Sequence, residues 1–315
     1  MNESSPSVSV IIPARDAAGY LRHTLEAIDA QTYPGIGEVI VAAADEETAR
    51  VAAEAGAIVV PNPDGITPAA LNRALQVATG QVVVRCDAHA VLPAGYVEQA
   101  VETMGRTGAD NVGGMQVPVG ETFWGEAIAA AMSSRWGAGD ARYRIGGEEG
   151  PVETVYLGVF KRATLDRLGG FDEEFPRNQD YELNHRIIES GGVVWFDPGL
   201  RVEYRPRGSL RDLARQYFLY GRAKRQMARR HPGSLRWRQM AAPVLTGVMA
   251  ASIVASLVWP WALVVPTVYV IGLEFAAAVT TKRPELSMAT AAALATMHLS
   301  WGAGFLSAQR EPDRT

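Results

Sequence analysis

Cysteine is almost absent from this sequence, and an excess of positive charge is absent as well. The 315 residues include one cysteine, Cys86, which excludes an internal disulfide bond and a metal site built from several thiolates. We expect Cys86 to be a small buried apolar residue without a chemical role. The formal net charge of −4 at pH 7 argues against a nucleic acid as partner.

Three familiar sequence signals are also missing. The opening residues, MNESSPSVSVIIP, show no basic region followed by an apolar run, so we expect no signal peptide and a first domain in the cytoplasm. No GxGxxG follows the first predicted strand, and no GxxxxGK[ST] occurs anywhere. These absences argue against a classical dinucleotide-binding domain and against a P-loop ATPase.

Charged residues are missing from two long stretches near the end of the chain. None lies in 241–273, and His298 is the only ionisable side chain in 286–309. Because a bilayer-spanning helix needs about 20 apolar residues, the first stretch is long enough for a hairpin of two spans that turns at WPW (259–261). A buried alanine-rich helical domain is the alternative. The predicted transmembrane helices number about three, at 241–258, 261–280 and 286–308.

Basic residues predict how these spans are oriented. Segment 201–238 contains many arginines, and Lys282 and Arg283 follow the second predicted span. If both groups lie in the cytoplasm, the positive-inside rule is satisfied and the REPDRT tail lies outside. We therefore expect a multi-pass protein of the cytoplasmic membrane. Its first domain would lie on the cytoplasmic side.

Strands and helices alternate over the first 85 residues. Apolar runs predict strands at 8–14, 38–44, 57–61 and 81–86, with helical spacing between them. This alternation is typical of an α/β fold with a parallel, doubly wound sheet. Ligands bind such sheets beyond the carboxyl ends of the strands. Polar side chains follow all four predicted strands, namely Asp16, Asp45, Asn62, Asp64 and Asp87.

The fourth strand ends in an ionisable cluster, in the sequence QVVVRCDAHAVLP (81–93). Asp87 and His89 stand where the phosphates of a nucleotide and a divalent ion could be held. Mg²⁺ takes one or two carboxylates together with phosphate oxygens, and Mn²⁺ also accepts an imidazole. The alternative is that Asp87 caps the next helix while His89 is simply exposed.

A second cluster lies in 169–204, where YELNHRIIESGG predicts an amphipathic helix entered through RNQD. Asp180 falls in the first turn, where the helix dipole stabilises a carboxylate. It is either a general base, which removes a proton from a hydroxyl group, or a plain N-cap. Glu182 and Arg186 have the i,i+4 spacing of a helix-supporting ion pair.

A third cluster is the basic segment 209–232, which predicts one helix with aromatic residues among six arginines. Such a helix can lie on anionic lipid headgroups. Alternatively, Gln216 and nearby arginines could face the acceptor or the diphosphate. Both interpretations can hold for different faces of the helix.

Over residues 7–235 the chain resembles the family 2 glycosyltransferases, in the membrane-attached branch that builds exopolysaccharides. The motifs that carry the resemblance are VSVIIPARD, DGITPAALNRAL, VRCDAHAVLP, TVYLGVFKR, LGGFDEEFPRNQDYELNHRI and RQYFLYGRAK. The resemblance implies a GT-A fold, which is Rossmann-like with a mostly parallel sheet. We expect domain limits of 1–208 for the transferase, 209–240 for the basic helix and 241–309 for the membrane helices.

The resemblance also implies roles for individual residues. Asp180 occupies the position of the catalytic base, and Asp87 with His89 fills the place of the Asp-x-Asp motif that binds Mg²⁺ or Mn²⁺. The residues expected to contact the nucleotide sugar are Pro13, Ala14, Asp16, Asp45, Asn72, Arg85 and Asp87. Gln216, Tyr220 and Arg222 are expected on the acceptor side, because QYFLYG lies where related synthases carry a Gln-x-x-Arg-Trp motif.

The function implied is inverting transfer of a hexose from a nucleotide sugar, expected to be a UDP-sugar, to a lipid-linked saccharide at the inner leaflet. The partners would be the sugar donor, the lipid-linked acceptor and the membrane. A polyprenyl-phosphate sugar synthase or glycolipid glycosyltransferase is the alternative enzyme. An inactive membrane scaffold of a polysaccharide assembly complex is the alternative of another class.

Overall fold

The computed structural model describes residues 5–281 and 283–307. Within these ranges the chain divides into two compact units. The first unit comprises the residues up to 117 together with 141–204, and the second comprises 118–140 together with the residues from 205 onwards. The segment 118–140 is therefore an insertion in the first unit that packs with the carboxyl-terminal part of the chain. The domain limits expected from the sequence stay a prediction, and residues 1–4, 308 and 309 lie outside the described ranges.

The chain contains eight strands and thirteen α-helices within the described residues. The strands are β1 (Val8–Ala14), β2 (Ile36–Ala43), β3 (Ile58–Pro61), β4 (Val82–Arg85), β5 (Asn111–Pro118), β6 (Gly150–Pro151), β7 (Tyr156–Lys161) and β8 (Val194–Tyr204). The helices are α1 (Ala18–Asp29), α2 (Glu46–Glu54), α3 (Thr67–Val77), α4 (Tyr96–Thr107), α5 (Phe123–Met132), α6 (Arg135–Ala138), α7 (Arg142–Ile145), α8 (Arg162–Leu168), α9 (Gln179–Glu189), α10 (Leu210–Arg230), α11 (Ala241–Ala255), α12 (Val264–Thr280) and α13 (Pro284–Leu306).

All eight strands form one sheet in the order β3-β2-β1-β4-β7-β5-β8-β6. The first four in this order are parallel, as the sequence predicts, because helices α1, α2 and α3 return the chain between them. Strand β7 is antiparallel to both of its neighbours, β4 and β5. The sheet is therefore α/β with a parallel half and an antiparallel continuation.

The parallel strands are buried on both faces. In β1, Val10 and Ile12 pack in one apolar cluster, whereas Ile11 packs in another on the opposite face. This arrangement explains the continuous apolar runs in these strands, which show no polar alternation. Cys86, just after β4, is fully buried in the first cluster, as predicted. Burial raises the pKa of its thiol.

In the second unit, helices α10 and α13 pack with their backbones in direct contact. A Cβ atom on Gly221 would lie 2.0 Å from the carbonyl oxygen of Trp301, and one on Gly304 would lie 2.0 Å from that of Phe218. Only glycine leaves room for this approach. Arg225 also donates hydrogen bonds to the last carbonyls of α13, including that of Leu306 at 2.9 Å.

Two helices of the second unit are long and apolar enough to cross a membrane. The candidate spans are Trp237–Ala255 and Pro260–Thr280, and only 11% and 17% of their most apolar windows is buried. The turn between them exposes Trp259 and Trp261. The core helix of a soluble domain would be mostly buried, so this exposure argues against the alternative of a buried alanine-rich domain for these two helices.

The third predicted span, 286–308, is not confirmed. Over its described residues, helix α13 is not among the helices that are apolar enough to be a candidate span. It buries Leu286, Leu294 and Met297 within the second unit. Its first turns pack on Ala127 of α5, and its last turns pack on α10. Short alanine, glycine and threonine side chains make this helix suitable for close packing on other helices. The tail predicted to lie outside, REPDRT, and Lys282 both fall outside the described residues.

Candidate active site

The end of β4 carries a buried ion-pair cluster. Arg85 donates a hydrogen bond to Asp87 Oδ1 at 2.8 Å, and its other terminal nitrogen pairs with Asp180 Oδ2. The guanidinium side chain is only 7% exposed, whereas Asp87 and Asp180 keep 21% and 33% of their side-chain surface accessible. The structure thus brings together three residues that the sequence predicts for the site, with Arg85 as the bridge.

Local structure fixes each member of this cluster. Arg85 is the last residue of β4 and lies opposite Ile11 of β1. Asp180 is the second residue of α9, which begins after Asn178 with a left-handed φ of 61°. The N-cap position is therefore Asn178, so the alternative of Asp180 as a plain N-cap is wrong. Its carboxylate lies in the first turn, where the helix dipole favours negative charge.

The capping alternative for Asp87 is wrong as well. The next helix, α4, begins at Tyr96 and has Gly95 at its N-cap. Asp87 instead uses one carboxylate oxygen to accept the hydrogen bond from Arg85. The strand end is therefore shaped by the ion pair and not by a helix.

Charge balance at the cluster leaves one cation between two carboxylates. Burial alone would lower the pKa of Arg85, but the negative charges of Asp180 and Asp87 raise it by more than burial lowers it. The net pKa is therefore raised, and the guanidinium stays charged. Burial raises the pKa of Asp180, Arg85 opposes this shift, and the charge of Asp87 adds to it. Asp180 is therefore more basic than an ordinary aspartate while remaining paired.

One oxygen of Asp180 is left without a partner. Oδ2 is held by Arg85, but Oδ1 is buried and accepts no hydrogen bond from the residues that the structure describes. A buried carboxylate oxygen without a partner is costly, so such an oxygen is suited to accept a hydrogen bond or a proton from a bound group. An oxygen that is available to accept a proton is one of the properties that a general base needs.

A second pair of predicted residues meets at the ends of β1 and β2. The backbone N–H of Asp16 donates to Asp45 Oδ2 at 2.8 Å, and Thr48 donates to the same carboxylate through its N–H and its hydroxyl. Asp45 is thus the N-cap of α2. Burial alone would raise the pKa of Asp45, but these hydrogen bonds from Thr48 and Asp16 lower it. The carboxylate that the sequence offers for the nucleotide therefore also closes the β1–α1 turn.

The turn after β1 has a strained backbone. Asp16 has a φ of 50°, and its exposed side chain forms an ion pair with Arg15 at 3.5 Å. Pro13 and Ala14 are the last two residues of β1, where Pro13 is half-buried and Ala14 is buried. A non-glycine residue in this conformation needs support from its surroundings, and residues of this kind are found most often at functional sites.

Asn72 makes contacts different from those the sequence suggests. Its side chain donates to the Phe171 carbonyl at 2.8 Å and to Glu173 at 2.9 Å, and it accepts from the N–H of Phe171 at 2.8 Å. These bonds hold the loop that leads into α9. Asn72 therefore helps to place Asp180, and its direct contact with a nucleotide sugar stays a prediction.

Sequence reasoning missed Tyr156, the first residue of β7. Burial raises its pKa well above the usual range, and the charge of Asp87 adds to this shift. The next residue, Leu157, has a φ of 47°, and its carbonyl oxygen accepts a hydrogen bond from Tyr96 at 3.0 Å. The antiparallel position of β7 places Tyr156 near the cluster. The sequence contains no spacing signal for that topology.

Two residues could hold a divalent cation. Arg85 occupies one oxygen of Asp87, and the other has no hydrogen-bond partner in the described ranges. His89 is exposed and likewise makes no hydrogen bond to the described part of the chain. A carboxylate oxygen and a solvent-facing imidazole fit a Mg²⁺ or Mn²⁺ ion that keeps its other positions for phosphate oxygens and water.

The residues predicted for the acceptor side lie on α10 in the second unit. Gln216 is buried and donates a hydrogen bond to the Tyr220 hydroxyl at 2.9 Å. Tyr220 also meets the ring of Tyr217 edge to face. Arg222 is half-buried and makes no hydrogen bond or ion pair with the described residues. Their role in acceptor binding stays a prediction.

Comparison with known proteins identifies the family. The model of "Glycosyl transferase family 2" matches residues 9–169, which contain β1 to β4 and the Arg85–Asp87 pair. Succinoglycan biosynthesis protein ExoA of Rhizobium meliloti (strain 1021) is 30% identical over 319 residues, covering 96% of this chain and 94% of that protein.

Two further relatives are more distant. A dolichyl N-acetyl-alpha-D-glucosaminyl phosphate 3-beta-D-2,3-diacetamido-2,3-dideoxy-beta-D-glucuronosyltransferase of Methanococcus voltae is 25% identical over 174 residues, 53% of this chain and 54% of that protein. The mannosyltransferase PcManGT of Pyrobaculum calidifontis, solved in complex with GDP-Man and Mn²⁺, superimposes with a TM-score of 0.65 at 22% identity, covering 94% of this chain and 86% of that chain. The fold is therefore that of the GT-A enzymes. The chain belongs to glycosyl transferase family 2 and is a glycosyltransferase.

Proposed function

We propose that this enzyme transfers a hexose, with inversion, from a nucleotide sugar to a lipid-linked saccharide during exopolysaccharide or cell-envelope glycan synthesis. The observation that carries the proposal is the partnerless, buried Oδ1 of Asp180 beside the Arg85–Asp87 pair. An inverting transfer needs one carboxylate to deprotonate the acceptor hydroxyl, and this cluster offers one such oxygen.

The reaction follows from the charges of these residues. Asp180 Oδ1 accepts the proton of the acceptor hydroxyl. The oxygen of that hydroxyl attacks the anomeric carbon of the donor sugar. The bond from the anomeric carbon to the diphosphate breaks, and the electron pair leaves with the nucleoside diphosphate. Because attack comes from the face opposite the leaving group, the anomeric configuration inverts.

Arg85 tunes the base in this scheme. Its positive charge opposes the rise that burial causes in the pKa of Asp180, and so favours the ionised carboxylate that a base requires. One terminal nitrogen of Arg85 pairs with Asp180 Oδ2 and the other with Asp87, which leaves Oδ1 of Asp180 as the oxygen proposed to accept the proton.

Asp87 and His89 are the residues proposed to hold a Mg²⁺ or Mn²⁺ ion. Such an ion, when bound there, would offset the charge that develops on the departing diphosphate. The structural relative from Pyrobaculum calidifontis was solved with Mn²⁺ and GDP-Man, which supports a divalent ion and a nucleotide sugar in this fold. Pro13, Ala14, Asp16 and Asp45 are proposed to contact the nucleotide.

The lipid-linked acceptor and the membrane are proposed together. Helices α11 and α12 are long and apolar enough for a membrane hairpin, and their apolar surface is exposed. A hairpin returns the chain to the side on which it started, so the chain before α11 and the chain after α12 would both lie on the cytoplasmic side of the inner membrane. The names of the two sequence relatives mention succinoglycan biosynthesis and a dolichyl sugar phosphate, which supports a lipid-borne glycan.

The experiment is incubation of the detergent-purified protein with labelled UDP-glucose, Mn²⁺ or Mg²⁺ and a membrane lipid extract. We expect label in the lipid phase, and we expect it to be lost on chelation and restored by added metal. Treatment of the product with mild acid and alkali then separates a sugar on a lipid monophosphate from a longer lipid-linked saccharide. A single sugar on a lipid monophosphate would replace this proposal with the polyprenyl-phosphate sugar synthase.

A failure of transfer needs its own control. Several nucleotide sugars are tested for protection of the folded protein against thermal unfolding, which requires binding but no acceptor. A protein that binds a nucleotide sugar but transfers it to no lipid fraction would contradict the proposed acceptor. A folded protein that neither binds nor transfers any nucleotide sugar would favour a scaffold.

A further inference from the structure

A shallow apolar groove runs between α10 and α13, within the second unit. Its volume is about 430 Å³, which falls in the range of roughly 300–1,000 Å³ usual for ligand sites. The lining residues are Ala214, Arg215, Phe218, Leu299, Ser300 and Ala303. No residue predicted for the acceptor side lines this groove.

Side-chain size explains why the groove exists. The glycine contacts at Gly221 and Gly304 bring the two helices together at one point along their length. Beside that point, Ala214, Ser300 and Ala303 are too short to fill the space between the helices. An apolar channel therefore stays open next to a close helix–helix contact.

One residue of the groove lining is charged, namely Arg215, whose side chain is exposed. Arg211, Arg215 and Arg222 share one face of α10, because their spacings of four and seven residues are helical repeats. None of the three forms a hydrogen bond or ion pair with the described residues. Residues one helical turn apart, such as Arg211 and Arg215, have Cβ atoms about 6 Å apart, so their long side chains can converge on one diphosphate, whose phosphate groups arginine binds in bidentate fashion.

We propose that this groove binds the lipid carrier of the acceptor, with the apolar chain of a polyprenyl diphosphate along the groove and its diphosphate on Arg211 and Arg215. This assignment rests on the proposed function, because it names the lipid part of the acceptor. An apolar groove lined by Arg215, with Arg211 one turn away on the same helix face, is the complement of an apolar chain that ends in a diphosphate.

The test uses the full chain in detergent and a diazirine-bearing farnesyl diphosphate as the probe. After photolysis, the labelled peptides are mapped by mass spectrometry. We expect label in peptides of α10 and α13, competed by unlabelled farnesyl diphosphate but not by phosphatidylglycerol micelles or by inorganic diphosphate alone. Competition by phosphatidylglycerol at the same concentration would overturn the assignment in favour of a general anionic lipid site.

Two variants probe the groove, and each has a matched control. Ala214→Trp fills the groove, whereas Ala255→Trp adds the same side chain to an exposed position of α11. Arg215→Glu reverses a rim charge, whereas Arg230→Glu makes the same charge change at the exposed end of α10. We expect labelling to fall roughly tenfold in Ala214→Trp and Arg215→Glu. Labelling should be unchanged in the controls, and Arg215→Lys should restore part of it.

The outcomes separate this proposal from the proposed function. Nucleotide-sugar binding is measured on every variant and should be unchanged, which shows that the first unit is folded. Label in the groove without transfer to any lipid would contradict the proposed acceptor chemistry and leave the groove assignment standing. Transfer that proceeds at the normal rate in Ala214→Trp, with label elsewhere in the chain, would overturn the groove assignment alone.

Discussion

Replacing Arg85 with methionine tests how much the ion pairs at the centre of the site contribute to stability and to the pH dependence of transfer. Methionine fills much of the same volume but has no charge, so Asp87 and Asp180 would face each other without the cation that bridges them. The change removes two ion pairs together, that of Arg85 with Asp87 and that of Arg85 with Asp180. It leaves the strand and the backbone hydrogen bonds of β4 intact.

The magnitude follows from burial. Removing one partner of a buried ion pair costs about 3–5 kcal/mol of stability, because a buried charge is left without compensation. Asp87 and Asp180 keep 21% and 33% of their side-chain surface accessible, so water compensates them in part. We therefore expect the lower end, about 3 kcal/mol, or roughly a 6–12 °C fall in the melting temperature for a unit of this size.

The pH dependence of this loss has a definite sign. In the wild-type protein, burial already holds the pKa of Asp180 above its ordinary value, and Arg85 restrains the shift. Without Arg85 the folded-state pKa rises further, so the folded state binds a proton more readily than the unfolded chain. The extra instability of Arg85→Met should then be largest at neutral pH and shrink as the pH falls through the new pKa.

The assay is thermal unfolding of the detergent-held protein from pH 5 to pH 8, followed by the pH profile of the transfer rate. The acidic limb of that profile should move to higher pH in Arg85→Met, since transfer needs ionised Asp180. Arg50→Met is the matched control, because it breaks an exposed ion pair with Glu54 that should contribute at most about 1 kcal/mol. An unchanged acidic limb together with a melting temperature within 2 °C of wild type would refute this reasoning.

Substitutions at three further positions test local structure. Asn178→Gly should leave stability within about 0.5 kcal/mol of wild type, whereas Asn178→Val should cost about 1–2 kcal/mol, because a β-branched residue resists a φ of 61°; equal melting temperatures would contradict this. Gly221→Ala should cost about 1–3 kcal/mol through the clash with Trp301. By contrast, Gly247→Ala in α11 meets nothing within 4 Å and should be neutral or stabilising, and a tolerated Gly221→Ala would show that α10 and α13 are not in backbone contact. Asp45→Ala should cost about 1 kcal/mol at pH 7 through the lost cap of α2. Since the folded-state pKa of Asp45 is lowered, that difference should fade as the pH drops through it, and a pH-independent difference would count against the cap.

The parallel half of the fold is predictable from the sequence because its signals are local. Apolar runs of four to seven residues and the helices between them fix β1 to β4 within two residues of the observed limits. The antiparallel strands are different, since pairing of β7 with β4 joins segments about 75 residues apart. The packing of segment 118–140 with the carboxyl-terminal helices is equally non-local.

Helix α13 shows how composition can mislead. A charge-free alanine-rich stretch is consistent with a membrane span and with a tightly packed helix. What separates the two is whether neighbouring helices cover it, and a single sequence does not state this. The glycines at 221 and 304 are where α10 and α13 meet, yet each reads in isolation as an ordinary interruption of a helix.

Most residues of the candidate site were predictable from the sequence, but the ion pairs and hydrogen bonds that join them were not. Residue type and position after a strand or in a first helical turn indicate Asp87 and Asp180. The bridge by Arg85 joins positions 95 residues apart in sequence, and no spacing rule predicts it. Asn72 likewise holds the loop before α9 through hydrogen bonds that only the tertiary structure creates.

The most direct test of the account is the transfer rate of Asp180→Asn beside its affinity for the nucleotide sugar. Asparagine keeps the size of the side chain but cannot take a proton. We predict donor affinity within a few-fold of wild type and a single-turnover transfer rate lower by about 10²–10⁴, the usual contribution of a general base. A variant that binds the donor normally and transfers at a rate within fivefold of wild type would contradict the assignment of Asp180 as the base.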